Sequence, residues 1–161
     1  MSTTTLIKAD PSQPDHASAI VHLLDIYASS PTGGGEGLPD FTKVNLCHEL
    51  SKKPGTHVIL AYADEQPAGL IISFEGFSTF QCKPILNIHD VIVHPDHRGK
   101  GLAKQLLEKC EEVAREIGCC KLTLEVLEGN DIAKRAYTSF GFTGYELDPA
   151  MGRAMFWEKK L

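Results

Sequence analysis

This 161-residue chain has little that suits a membrane: its longest uncharged apolar run, Val58 to Ala63, is strand-sized, far short of the about 20 residues that cross a bilayer. Its first residues, Met1-Ser2-Thr3-Thr4-Thr5, lack a basic segment followed by an apolar one, so no secretory signal is expected and a cytoplasmic location is read. The five cysteines, Cys47, Cys82, Cys110, Cys119 and Cys120, are odd in number and contain no Cys-x-x-Cys pair, which argues against a zinc site or a disulfide framework. They are expected to be reduced core residues, with a catalytic thiol at Cys119 or Cys120 as the sharper alternative. Basic residues are not in excess either. A net charge of −5 makes nucleic acid a poor partner and mildly favours a cationic one. His89, His94 and His97 lie near Asp90 and Asp96 without sharing a helix face, so no metal is expected.

Two familiar phosphate loops are also missing. No Gly-x-x-x-x-Gly-Lys-Ser/Thr run exists, and Gly99 and Gly101 are followed by Lys104 where a dinucleotide fingerprint needs its third glycine. What is present is an apolar strand, Val91-Ile92-Val93, running through His94-Pro95-Asp96-His97 into Arg98-Gly99-Lys100-Gly101-Leu102-Ala103-Lys104 at the start of a helix. Small residues let a ligand approach the backbone, and the free N–H groups of a helix N-terminus can hold a pyrophosphate. Downstream, Leu122-Thr123-Leu124-Glu125-Val126 reads as a buried strand, and Asn130, Ala133, Tyr137 and Gly141-Phe142 follow at helical spacing with glycine closing the helix.

Arg98-x-x-Gly101-x-Ala103, together with that second set, resembles the two signatures of the GNAT superfamily of N-acetyltransferases, most closely over residues 86 to 142. The resemblance implies an acetyl-CoA co-substrate, its pyrophosphate on residues 98 to 104 and its pantetheine along Val91, Ile92 and Val93. It implies too that Asn130 and Tyr137 face the CoA arm and that Tyr137 protonates the departing thiolate. Glu125 keeps the spacing to Tyr137 that a base has in the ribosomal-protein alanine acetyltransferases of this superfamily. Asp90 resembles the acidic position at which polyamine-acetylating relatives hold an amine.

Chemistry requires such groups, because an aliphatic amine with a pKa near ~10.4 is neutral in only about one molecule in a few thousand at pH 7. The residues leave the base open between Glu125, Asp90 and His89. Asp90 and His89 are neighbours on one strand and should point to opposite faces, unless a bulge intervenes. Glu36, in the glycine cluster 33 to 37, and Glu75 and Phe77 are expected to cover the acceptor side, since loops on rigid scaffolds often carry specificity. A small-molecule amine is the favoured acceptor, and a peptide amine or a non-catalytic acyl-CoA-binding module is the rival.

The elements expected along the chain are a strand from Thr4 to Ala9, a helix starting at Asp10-Pro11 and reaching about Ser29, and a second helix from Pro39 to Lys53. Strands then follow from Val58 to Ala63, Ala68 to Phe77 and Pro84 to His94, with a hairpin turn at Asp64-Glu65-Gln66-Pro67. A helix from Gly101 to Ile117 puts Leu102, Leu106, Cys110, Val113 and Ile117 on one stripe. After the Leu122 strand and the Asn130 helix, two C-terminal strands are expected, and family habit suggests a homodimer through them around Arg153 to Trp157. The whole reads as a single domain, residues 1–161, of mixed α/β (α+β) class. The resemblance implies the GNAT-type acyl-CoA N-acyltransferase fold, with a mixed, mostly antiparallel sheet of about seven strands flanked by about four helices.

Overall fold

Every side chain at positions 58–61 and 68–73 is buried, so the two strands that carry them are covered on both faces. These are β2 (Thr56–Ala63) and β3 (Gln66–Ser78), the centre of a five-stranded sheet in the computed structural model, which describes residues 3–161. Met1 and Ser2, which open the N-terminal reading, lie outside the described residues. The other strands are β1 (Thr4–Ala9), β4 (Lys83–Val93) and β5 (Leu122–Leu124). They stand in the order β1-β2-β3-β4-β5, antiparallel throughout except for the parallel pair β4 and β5. Asp64 and Glu65 turn the β2–β3 hairpin with φ of 48° and 66°.

Three helices pack with this sheet: α1 (Pro14–Ala28), α2 (Asp40–Lys52) and α3 (Leu102–Ile117). α1 begins later than expected. The Asp10 carboxylate accepts from Ser12 N at 2.9 Å and Ser12 Oγ at 2.7 Å, closing a local turn instead of capping a helix. Ala19, Ile20 and Leu23 of α1 and Cys47 and Leu50 of α2 form one core with Val58, Leu60, Leu70, Ile72 and Ile92. The alternate residues of β2 and β3 face α3, whose Leu102, Leu106, Cys110 and Val113 are buried as the stripe predicted. A Cβ at Gly69 would lie 2.8 Å from Leu106 Cδ1, so the absent side chain is what lets α3 sit this close.

One irregularity decides what β4 presents. Ile72 pairs with Asp90 while the next residue, Ser73, pairs with Ile88, so His89 is an extra residue bulged out of β4. Before the bulge Ile88 lies on the α3 face opposite Ser73. After it, Asp90 and Ile92 lie on the face of α1 and α2.

Clustering separates residues up to Leu127 from a second unit, Glu128–Leu161, whose only α-helix is α4 (Asp131–Phe140). The expected C-terminal strands are absent among the described residues, which leaves five strands where about seven were expected. Pro149 opens a 3-10 turn, Pro149–Met151, and one backbone bond, Ala154 N to Tyr145 O at 3.1 Å, spans the would-be hairpin. No strand is formed there among the described residues, and an isolated hairpin is marginal in water.

Leu106 is fully buried against β3, so Leu106→Ala should lower stability by about 2–5 kcal/mol. A urea titration with an unchanged slope and a lowered midpoint would carry that result; an unmoved midpoint would contradict the packing described.

Candidate active site

The turn after β4 is built by its own side chains. His94 Nδ1 accepts from Asp96 N at 3.2 Å, Lys100 Nζ donates to Asp96 O at 3.0 Å, and Arg98 Nε donates to Val93 O at 3.3 Å. Gly101 is the N-cap of α3 with φ 77°, a left-handed backbone that glycine adopts without strain. No side chain caps this helix start, and nothing stands within 4 Å of where a Gly101 Cβ would be. The N–H groups of Leu102, Ala103 and Lys104 open the helix without intrahelical partners, with the positive end of the dipole behind them. Arg98, Gly99, Lys100 and Gly101 are all exposed beside them. Together they form an anion cradle.

Beside the cradle runs an open strand edge. β5 pairs with β4 only from Leu86 to Ile88 and stops at Leu124, whereas β4 continues to Val93. His94 N donates to Ala68 O at 2.8 Å, so by antiparallel alternation Ile92 and Asp90 bond towards β3, and Val91 and Val93 turn their N–H groups to the edge β5 has left. An extended thiol arm can add there as a strand does.

On the α1 and α2 face lies a cavity of about 390 Å³. Leu24, Tyr27, Ala28, Leu46, Leu50, Ile72 and Phe74 make its apolar wall, Gly33 and Leu38 close it from the loop, and His89 and Asp90 stand in it together. Neighbours on a strand should face apart; the bulge brings both to one cavity. The loop is held in place: Asp25 Oδ1 accepts from Leu38 N at 2.8 Å, and a Cβ at Gly33 would meet Tyr27 O at 2.0 Å. The His89 ring lies 5.6 Å from that of Phe74. Burial pushes the Asp90 carboxyl above its ordinary value, and the neighbouring His89 offsets this in part. Among the described residues no hydrogen bond reaches the Asp90 carboxylate, which is half-buried and open to a ligand.

The other expected residues fall elsewhere. Glu125 is exposed, one residue past the end of β5, and does not line the cavity. Glu75 lies on the opposite sheet face, its Oε1 3.0 Å from His57 Nε2, so it is removed from the His89 and Asp90 cavity. Glu36 and Phe77 are exposed and outside the cavity wall; the loop contributes Gly33 and Leu38 instead. In the second unit, Asn130 is the N-cap of α4, its side chain accepting from Ala133 N at 3.2 Å. Tyr137 is half-buried, with its ring edge-on to Phe142 at 5.9 Å.

Sequence reading missed Leu24, Tyr27, Leu46 and Leu50; their i,i+3 and i,i+4 spacings mark helix faces without saying that a cavity lies against them. Of the cysteines, Cys47 and Cys110 are buried but Cys82 is exposed, in the turn between β3 and β4. Burial and Glu75 push the Cys119 thiol up, away from a reactive thiolate. Among the described residues no group of three or more His, Cys, Asp or Glu is arranged to hold a metal ion, and no helix is long and apolar enough to cross a membrane.

A helix start free to take a pyrophosphate, next to a strand edge free to take a thiol arm, is what an acyl-CoA-dependent transferase requires. The chain belongs to the acetyltransferase (GNAT) family, whose sequence profile matches residues 20–142, and it is an acyl-CoA-dependent N-acetyltransferase. It is 28% identical over 137 residues to the thialysine N-epsilon-acetyltransferase of Caenorhabditis elegans, a match covering 80% of this chain and 78% of that protein. The streptothricin acetyltransferase of Streptomyces lavendulae is 42% identical over 83 residues, 52% of this chain and 44% of that one. In fold, an aminoglycoside N-acetyltransferase solved with CoA matches at a TM-score of 0.78 and 19% identity, over 100% of this chain and 97% of the other.

A carboxyl whose pKa is raised on folding holds its proton more tightly in the native state, so its ionisation weakens the fold as pH climbs from the ordinary Asp range through the raised value. Asp90→Asn should therefore raise the melting temperature at pH 7, with the gain vanishing below about pH 4. A variant less stable than wild type at pH 7 would contradict this account of the Asp90 environment.

Proposed function

We propose that the enzyme moves an acetyl group from acetyl-CoA to the primary amine of a small molecule by direct attack. The observation that carries this reading is the partly open, largely apolar pocket of about 390 Å³ to which the β4 bulge brings both His89 and Asp90, a volume that suits a small amine. Acetyl-CoA lies with its pyrophosphate on residues 98 to 104 and its pantetheine along Val91, Ile92 and Val93, the thioester carbonyl polarised by the Val93 N–H. The family profile spans residues 20–142 and so runs through both units, which supports treating the chain as one transferase domain. The free cysteines support a cytoplasmic place for it.

Asp90 is the better base of the two carboxylates, because it faces the cavity with a raised pKa while Glu125 is exposed. The substrate ammonium gives its proton to Asp90, and the freed lone pair attacks the thioester carbonyl. The tetrahedral adduct then collapses and the C–S bond breaks; in the role the GNAT resemblance implies, the Tyr137 hydroxyl gives its proton to the departing thiolate, and the surplus proton on the new amide nitrogen returns through solvent to the tyrosinate.

Tyr137→Phe should lower kcat roughly 10²-fold or more while acetyl-CoA affinity, measured by calorimetry, changes little. An equal loss of both would mark Tyr137 as a binding residue. Asp90→Asn should remove the acidic limb of the kcat/KM–pH profile, and Glu125→Gln should leave that limb in place; the reverse pattern would transfer the base role to Glu125. Mass-spectrometric detection of the acetylated amine is the assay of choice, because the free thiols interfere with thiol-release chemistry.

A further inference from the structure

Resting on the acceptor site just proposed, we infer that the acceptor is a monoamine with an apolar body, an alkylamine or arylalkylamine, bound with its ammonium at Asp90 and its body against Tyr27, Leu46, Leu50 and Phe74. The charges around the cavity point this way. Asp90 is the one carboxylate in its wall, and His89 is the one other titratable side chain there besides Tyr27. Asp25, the acid nearest on α1, is already engaged: it accepts from Leu38 N at 2.8 Å and stands 3.7 Å from Lys43 Nζ. Beside Phe74 a cation is already present, with Lys53 Nζ 5.6 Å from the centre of the ring. A second or third ammonium would lie against a largely apolar wall with no second carboxylate to meet it.

The size of the space agrees. A cavity of about 390 Å³ is near the small end for ligand pockets, enough for a single ring or a short chain and tight for a multi-ring polyamine. Its remaining wall is aliphatic and aromatic carbon, which rewards each methylene it takes from water. That distinguishes this cavity from one built for a polycation, where affinity would come from several carboxylates.

The test is a series of linear monoamines, from propylamine to hexylamine, with 2-phenylethylamine, set against spermidine, neamine and lysine, all assayed for the acetylated product with saturating acetyl-CoA. The expected result is a kcat/KM that rises by up to about fourfold per added methylene, with the best monoamine at least about tenfold above every polycation. In Leu46→Glu, which sets a second carboxylate in the half-buried wall, the preference should shift towards spermidine. Thermal melting and acetyl-CoA binding of that variant show whether it is folded. If it is not, the chain-length series on the wild-type enzyme decides alone. A rate independent of chain length, or a preference for spermidine, neamine or lysine, would overturn the inference while leaving the amine acetyltransferase reading intact. No acetylation of any amine by protein that binds acetyl-CoA would overturn that underlying reading, and the inference with it.

Discussion

The extra residue at His89 is the constraint on which the acceptor side depends. β4 must satisfy two faces of a sheet that is covered on both sides, and a regular strand with Ile88 towards α3 would send the next even position, Asp90, to the same side. There a carboxylate would stand among Leu106 and Cys110, in a core with no cation to pair it. Inserting one residue moves Asp90 and Ile92 to the α1 and α2 face and lets His89 share the cavity with Asp90. One residue of register thus separates a buried, unpaired charge from a half-buried carboxyl at the wall of a pocket.

The same strand divides its labours along its length. From Leu86 to Ile88 it pairs on both edges, between β3 and β5. Its second half keeps β3 but loses β5 after Leu124, leaving the Val91 and Val93 N–H groups turned to an open edge. Immediately beyond, the turn through Gly101 starts α3 with no side chain spent on its cap. The Asp90 side of the cavity, the open edge of β4 and the uncapped start of α3 are therefore consecutive features of one stretch of about fifteen residues, and their spacing is set by backbone geometry rather than by flexible side chains.

Much of this was legible from residue type alone, and the reason is that it was local. The glycine pattern at 99 and 101 forced a turn and an open helix start whatever lay around it, and the apolar stripe of α3 fell where a 3.6-residue period puts it. The expected β-strands at 4–9, 58–63, 68–77 and 84–94 stand within two residues of their observed bounds. Errors gathered where a side chain competed with the backbone, as Asp10 did with its Ser12 bonds, or where a strand needed a neighbour it did not have, as at 153 to 157.

The site residues divide along the same line. Arg98 through Lys104 could be named from sequence because the cradle is made of contiguous backbone. Glu75 and Glu36 could not be placed, because whether a carboxylate reaches a cavity depends on which sheet face it occupies and on what already holds it; Glu75 went to His57 on the far side. The choice between His89 and Asp90 was posed by strand alternation and dissolved by the bulge, which is a property of how β4 pairs with Ile72 and Ser73 of β3, a distant stretch of the chain. Local chemistry is written residue by residue in the chain. Register and face arise only when distant segments pair, and those are what turn Asp90 from one acid among many into the one that lines the cavity under α1 and α2.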